Sequence, residues 1–356
     1  VDGVTSVRHQ VFRAAFAALS AIGAPRWAGP AMRGLGAILM LHHVRPWVER
    51  AFAPPQNRLL EVTPECLDQA LTLAAQAGYR FVGLDEIPSV LEAGRTEQPV
   101  LALTFDDGYR DNLEFALPVL RRHRASATVF ITTGFADRSA CLWWIDLENA
   151  VRNASSIRAQ VGAETITAPA ATPVEKVAAF ELLYWKLRAR PEAELRAVIA
   201  NLRQEHGVDS RGAVERLCLD WDGVRQLAED PLVTIGAHTL THPMLRQHDT
   251  DFARREMAAA RDAIQREIGR PVRHMAYPVG DKPSAGPREF RLARELGFRT
   301  AVTTRPGMLF PQHGAHLTAL PRVSLNGLFQ ERAQLEALLS GIPFWLWNRG
   351  RLLNVD

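Results

Sequence analysis

Residues 100–109 read Val-Leu-Ala-Leu-Thr-Phe-Asp-Asp-Gly-Tyr. An unbroken apolar run that stops at a turn is the pattern of a strand buried on both faces, as in a parallel sheet. In such sheets active sites collect at the C-terminal strand edges, where Asp106 and Asp107 fall here. Adjacent carboxylates there cannot point the same way, because strand alternation and the turn at Gly108 separate them. One can bind a cation while the other stays free as a base. Taken alone, Asp-Asp-Gly reads first as a turn leading into a helix N-cap.

Working outward, the segments Ala37–Leu41, Phe81–Leu84, Ala127–Thr132, Val233–Ala237, His274–Tyr277, Thr300–Thr303 and Leu320–Ser324 repeat the short apolar pattern. Amphipathic stretches separate them. Thr63-Pro64 opens a helix that runs to Ala77, and others are expected at about 112–123, 251–268 and 284–296. Alternating βα units predict an α/β fold with a mostly parallel sheet of seven or eight strands. That number suits a barrel, and an open doubly wound sheet shares the same periodicity. Between 136 and 230 the rhythm is lost, and helical stretches at 173–189 and 191–206 predict a largely helical insertion. The expected division is an N-terminal amphipathic segment (1–36), a barrel (37–135 and 231–330), the insertion (136–230) and an aromatic, basic tail (331–356).

A second polar strand end changes the reading of the first. Val233–Ala237 runs into His238-Thr-Leu-Thr-His242, two imidazoles four residues apart. If the segment turns helically, both rings fall on one side, as two ligands of one metal require. With Asp107 they make a His₂-carboxylate set that leaves positions open for water and substrate. Such a site is built for metal-assisted hydrolysis.

TFDDGY followed by HTLTH resembles the first two motifs of the polysaccharide deacetylases, carbohydrate esterase family 4, and the likeness extends over about residues 37–325. The resemblance implies a distorted (β/α)7-type barrel and hydrolytic removal of N- or O-acetyl groups from sugars. It also implies one divalent ion, zinc with cobalt or nickel as alternatives, held by Asp107, His238 and His242, with Asp106 as general base. The third motif corresponds to Met275–Gly280, where the Val279 N–H would steady the oxyanion. Tyr109 and Tyr277, inside the first and third motifs, are candidate substrate contacts. Two departures stand out. Ala276 occupies the place of an Arg that orients the base, and Arg322 could reach the base from another strand. The late Leu-x-Leu-His motif that supplies the general acid is missing, which leaves His42 or His43, at the end of an early strand, ahead of His313 and His316.

Trp143, Trp144 and Asp146 open the insertion, and paired indoles beside a carboxylate suit stacking on a sugar as well as core packing. With 356 residues, 47% hydrophobic and 23% charged, the chain can bury a core without metal or disulfide, so a metal site here is chemistry. A net charge of +3 is too small to argue for nucleic acid, and none is expected as a partner. Three scattered cysteines, Cys66, Cys141 and Cys218, offer no disulfide framework and fit a reducing, cytoplasmic compartment. Near the N-terminus Phe12, Phe16, Leu19 and Gly23 fall on one helical face, flanked by Arg8, Arg13, Arg26 and Arg33. That pattern suits a helix docked on the protein or on the inner membrane face; a cleaved signal is the alternative. Trp345 and Trp347, with Arg349 and Arg351 beyond, fit either core packing or an interfacial anchor, and hence peripheral membrane association. The leading expectation is a metal-dependent deacetylase of an acetylated or lipid-linked saccharide. The alternatives are a deformylase or amidohydrolase on a lipid-linked amino sugar or small amide, and a non-catalytic glycan-binding protein.

Overall fold

In the computed structural model, which describes residues 14–16, 18, 19 and 21–355, seven parallel strands close into a barrel. In chain order they are β1 (Gly36–Leu41), β2 (Val100–Phe105), β3 (Ala127–Ile131), β4 (Val233–Ala237), β5 (His274–Ala276), β6 (Thr300–Pro306) and β7 (Leu320–Ser324). The ring runs β1-β7-β6-β5-β4-β3-β2 and shuts where β2 pairs with β1, from Gly36 opposite Val100 to Leu41 opposite Phe105. The segment expected to be a strand at Phe81–Leu84 is only Arg80–Phe81, followed by a 3₁₀ turn at Leu84–Glu86. It pairs with Val100 and Leu101, and β3 takes over the same edge of β2 from Leu103 onward. Space on that edge therefore limits its length.

Alternation along the strands sorts the side chains. Ile38, Ala102, Phe130, Ala276, Val302 and Leu320 form one buried cluster inside the barrel, closed below by Leu84, Ile87 and Leu91. Their neighbours Leu39, Leu103, Val129, Ile235, Met275, Ala301 and Val323 face the surrounding helices in a second cluster. A packed interior of this kind is a core, and the chemistry is left to the C-terminal mouth. The helix Pro64–Gln76 begins as its sequence requires: the Thr63 side chain accepts from the Cys66 N–H, Pro64 holds the first position, and Gly78 ends the turn at φ 83°.

Residues 143–217 carry their own core over the barrel mouth. The helices Trp143–Asn153, Pro173–Arg188, Glu192–Glu205 and Ser210–Leu217 are joined by an antiparallel hairpin, Ser156–Val161 with Glu164–Pro169, which the expectation of a largely helical insertion omits. Strict in-out burial along Ser156–Val161 shows the period of two that marks it as a strand. The returning chain is tied to the Asp-Asp-Gly turn, since Leu219 N–H donates to Gly108 O at 3.0 Å.

Toward the N-terminus Phe16 is buried edge-on against Phe329 at 5.1 Å, and Leu19 packs on the outer core. Phe12, Arg8 and Arg13, named on the same predicted face, lie outside the described residues. Short helices at Ala24–Trp27 and Gly29–Met32 pack against the C-terminal helices Arg332–Ser340 and Ile342–Trp347, so the two ends of the described chain meet. No helix among the described residues is long and apolar enough to cross a membrane. The three cysteines are free, and burial pushes the Cys66 thiol up to about 12.

The seam of the barrel yields a stability test. Gly36 has φ 143°, and a Cβ there would stand 1.9 Å from the Val100 carbonyl oxygen. Gly36→Ala should therefore cost at least about 2 kcal/mol in urea unfolding, by combining backbone strain with a clash at the closing pair. Unaltered stability would mean that β1 and β2 separate freely.

Candidate active site

The inward parity of the interior core continues past the strand ends. On β2 it passes from Ala102 through Thr104 to Asp106, on β4 through Gly236 to His238, on β7 from Leu320 to Arg322, and on β1 from Ile38 through Met40 to His42. Four polar side chains from four strands thereby converge on one mouth.

Arg322 and Asp106 form its centre. Arg322 donates to both carboxylate oxygens of Asp106, at 2.8 and 2.7 Å, and further to Thr104 Oγ1 at 3.1 Å and Thr303 O at 2.8 Å. Both charges are almost wholly buried. Burial by itself would raise the Asp106 carboxyl, but the charge and hydrogen bonds of Arg322 outweigh it and hold the group below the usual carboxylate range. Asp106 is thus ionised at neutral pH. His42 Nε2 stands 3.8 Å from Asp106 Oδ2. Burial lowers the His42 pKa despite the carboxylates of Asp106 and Asp107, so its imidazole is neutral.

Beside this pair, Asp107 Oδ1 lies 3.3 Å from His238 Nε2 and 3.3 Å from His242 Nε2. One donor atom from each residue falls within 4.8 Å of the others, the grouping of Asp, Glu, His and Cys able to hold a metal among the described residues. Asp107 Oδ1 is buried without a hydrogen-bond partner. His238 Nδ1 is 2.8 Å from the Ala276 carbonyl, which makes that nitrogen the protonated one and turns the Nε2 lone pair toward Asp107. A lone pair on Nε2 facing a carboxylate oxygen repels it unless a proton or a metal ion lies between them. Two donors each about 2.05 Å from a tetrahedral ion stand roughly 3.3 Å apart, the spacing of Asp107 Oδ1 from each imidazole nitrogen. These residues fit a divalent ion with positions left for other ligands.

The backbone is strained to present them. Seven non-glycine residues among those described have positive φ, and four are Asp107 (73°), Thr239 (65°), His242 (60°) and Val279 (62°), all at the mouth. For β-branched Thr239 and Val279 this conformation is an outlier that the surroundings must hold. Glu256 does so for the His238–His242 loop, accepting from the N–H groups of Leu240 and Thr241 and the Thr241 hydroxyl, each at 2.9 Å. Thr304 Oγ1 donates to Val279 O at 2.8 Å, while the Val279 N–H meets no backbone acceptor among the described residues.

The other expected site residues fall elsewhere. His43 has the opposite parity to His42: its Nδ1 is 2.6 Å from Asp111 Oδ2, and its ring stacks on Tyr109 at 3.5 Å, away from Asp106. Tyr109 is fully buried in that stack and offers no exposed face to a substrate. Tyr277, one residue past inward Ala276, points to the outer core and donates to Thr318 O at 2.8 Å. His313 lies in a 3₁₀ turn that packs against the helix Ile87–Ala93 at the lower end of the barrel, and burial lowers its pKa to about 4; His316 ends the same turn. Trp143 and Trp144 are core residues of the insertion and present no platform for a sugar. Trp144 walls the mouth instead, its ring 5.1 Å from that of His242. Asp146 is buried in the insertion, where Ser210 donates to it at 2.7 Å.

Sequence reasoning missed Asp111 and Glu256. Glu256 carried a signal, because it shares the buried face of the helix Thr250–Ile268 with Ala253, Met257, Ala260 and Ile264. A carboxylate on such a stripe needs partners. Asp111 had no comparable mark.

A parallel barrel whose mouth joins a buried carboxylate–arginine pair to an Asp-His-His set has the make-up of a hydrolase active site. The family model for polysaccharide deacetylase matches residues 93–301, more than half of the chain, and the protein belongs to that family. The Streptococcus pyogenes deacetylase PplD, solved with acetate, is similar over 85% of this chain and 97% of its own, at 19% identity and TM-score 0.55. IcaB from Ammonifex degensii is similar over 85% and 96%, at 17% identity and TM-score 0.52. A polysaccharide deacetylase from Bacillus cereus is similar over 84% and 68%, at 14% identity and TM-score 0.50. At these identities the likeness speaks for the fold alone. No curated protein matches the chain.

The buried pair is open to a double-mutant cycle. Arg322→Met should cost about 3–5 kcal/mol by stranding the Asp106 charge. Adding Asp106→Asn should recover much of that loss, as measured by urea unfolding of both single variants and the double. Additive losses would show that the two groups are not coupled.

Proposed function

We propose that this chain is a metal-dependent hydrolase that removes the N-acetyl group of an acetylated sugar in a glycan or glycolipid. Membership of the polysaccharide deacetylase family carries the reaction class. The observation that supports metal dependence is the buried Asp107 Oδ1, without a hydrogen-bond partner, facing the Nε2 atoms of two imidazoles. Asp107, His238 and His242 would hold the ion. When bound, a divalent ion supplies polarisation of the acyl carbonyl and acidifies a coordinated water.

The remaining chemistry belongs to the chain. Asp106 accepts the proton of the attacking water; Arg322 keeps it ionised and fixes its plane by a two-point grip. The missing motif Arg at Ala276 is thereby offset from β7, and the base is not lost, which disfavours a non-catalytic glycan-binding role. The Val279 N–H, on backbone held in the left-handed conformation, would donate to the oxyanion of the tetrahedral intermediate. His42, neutral and beside Asp106, can hand a proton to the leaving amine once it has received one from the base. Trp144 and the insertion core limit water around His242, which strengthens each of these interactions.

Asp106→Asn should reduce acetate release from N-acetylated oligosaccharides by roughly 10²–10⁴-fold while bound metal, measured by plasma mass spectrometry, stays stoichiometric. His238→Ala should lose both metal and activity. Acetate release that survives thorough chelation would overturn the metal-dependent reading, and release of formate but not acetate would redirect it to a deformylase.

A further inference from the structure

A surface near the barrel mouth is assigned no role by the chemistry above. The helix Ile342–Trp347 buries Ile342 and Phe344 but leaves Trp345, Leu346 and Trp347 at 40%, 56% and 48% exposure. Beside it runs a groove of about 240 Å³ whose lining includes Lys282, Arg349 and Arg351 and no carboxylate among the described residues. All three cations are exposed, and none forms an ion pair among the described residues, whereas most of the protein's arginines are paired with Asp or Glu. The acid beside Lys282 in sequence, Asp281, is taken up by Arg188 at 3.0 Å and by the Ser284 hydroxyl at 2.6 Å.

Position gives this surface its meaning. Asn348 Nδ2 donates to the carbonyl of Pro306, the last residue of β6, at 2.9 Å, and Lys282 lies on the loop that leaves β5. Both anchor points are C-terminal strand ends, so the groove opens at the same end of the barrel as Asp106 and His238. A further exposed indole, Trp185 at 56%, lies 5.8 Å from the Arg188 guanidinium that reaches Asp281. Exposed tryptophans around a cationic groove that holds no carboxylate among the described residues match the interfacial zone of an anionic bilayer: indoles sit at headgroup depth, and Lys and Arg meet lipid phosphates. A second copy of the chain fits poorly, because a two-fold interface would set the three cations against themselves.

We propose that the Trp345–Trp347 ledge and the Lys282–Arg349–Arg351 groove dock the protein on an anionic phospholipid surface with the barrel mouth turned toward it. The docking is independent of the chemistry assigned to the mouth and is read without any activity measurement.

The full chain, incubated with vesicles of phosphatidylcholine alone or mixed with phosphatidylglycerol, should co-sediment only with the mixed vesicles, and less at high salt. Arg349→Ala and Arg351→Ala should each weaken partition roughly fivefold at low salt, and Arg349→Glu/Arg351→Glu should abolish it. Trp345→Ser/Leu346→Ser should also lose binding with every charge retained. Thermal unfolding of each variant should match the parent, since all four positions are exposed. No preference for anionic vesicles, or binding that both double variants leave intact, would overturn the proposal. So would a parent dimer in light scattering that Trp345→Ser/Leu346→Ser converts to monomer, which would give the ledge to a second copy.

Discussion

The mouth of this barrel is organised around one buried ion pair. Arg322 on β7 and Asp106 at the end of β2 sit on opposite sides of β1, and the guanidinium reaches Thr104 on β2 and the Thr303 carbonyl on β6 as well. Burying two charges costs several kcal/mol per ion, which their attraction repays only with good geometry and satisfied hydrogen bonds. Here the guanidinium's four bonds go to groups carried by two other strands. The pair is therefore poor as a source of stability and effective as a constraint. It can form only if the seam at β1 closes in one register, and once formed it keeps Asp106 ionised in a place where burial favours the neutral acid.

Local strain around the pair is concentrated and offset by named partners. Asp107, Thr239, His242 and Val279 take left-handed backbone that most side chains avoid. Glu256 holds the loop between the two histidines through three hydrogen bonds, and the Ala276 carbonyl fixes the His238 tautomer. The insertion adds a wall, with Trp144 against the His242 ring. Elements that look remote in sequence thus act together to keep three donor atoms and one carboxylate in place before a substrate arrives.

Much of this was legible in the residues. The continuous apolar run at 100–105, the polar strand ends and the HTLTH spacing pointed to a mostly parallel α/β sheet with its chemistry at the strand ends, because buried parallel strands leave a plain hydrophobic signature, and the family resemblance of the motifs implied its closure into a barrel. Period-two alternation could have gone further. It separates His42, in line with Ile38 and Met40, from His43, and it sends Tyr277 outward once Ala276 points inward. The hairpin at 156–169 was missed because the helices around it dominate the pattern, although its in-out burial follows the same alternation.

What the sequence determined by itself is therefore the strands, their facing residues and the types of group available at their ends, since all of these follow from the order of neighbouring residues. Only the tertiary structure decided which groups meet. Arg322 and Asp106 are separated by 216 positions, and Tyr109 and Trp143, which their motif and their neighbours suggested for a substrate, are consumed by packing. No local period encodes such choices. They are made when the barrel closes, because closure alone sets which strand ends face one another across the mouth.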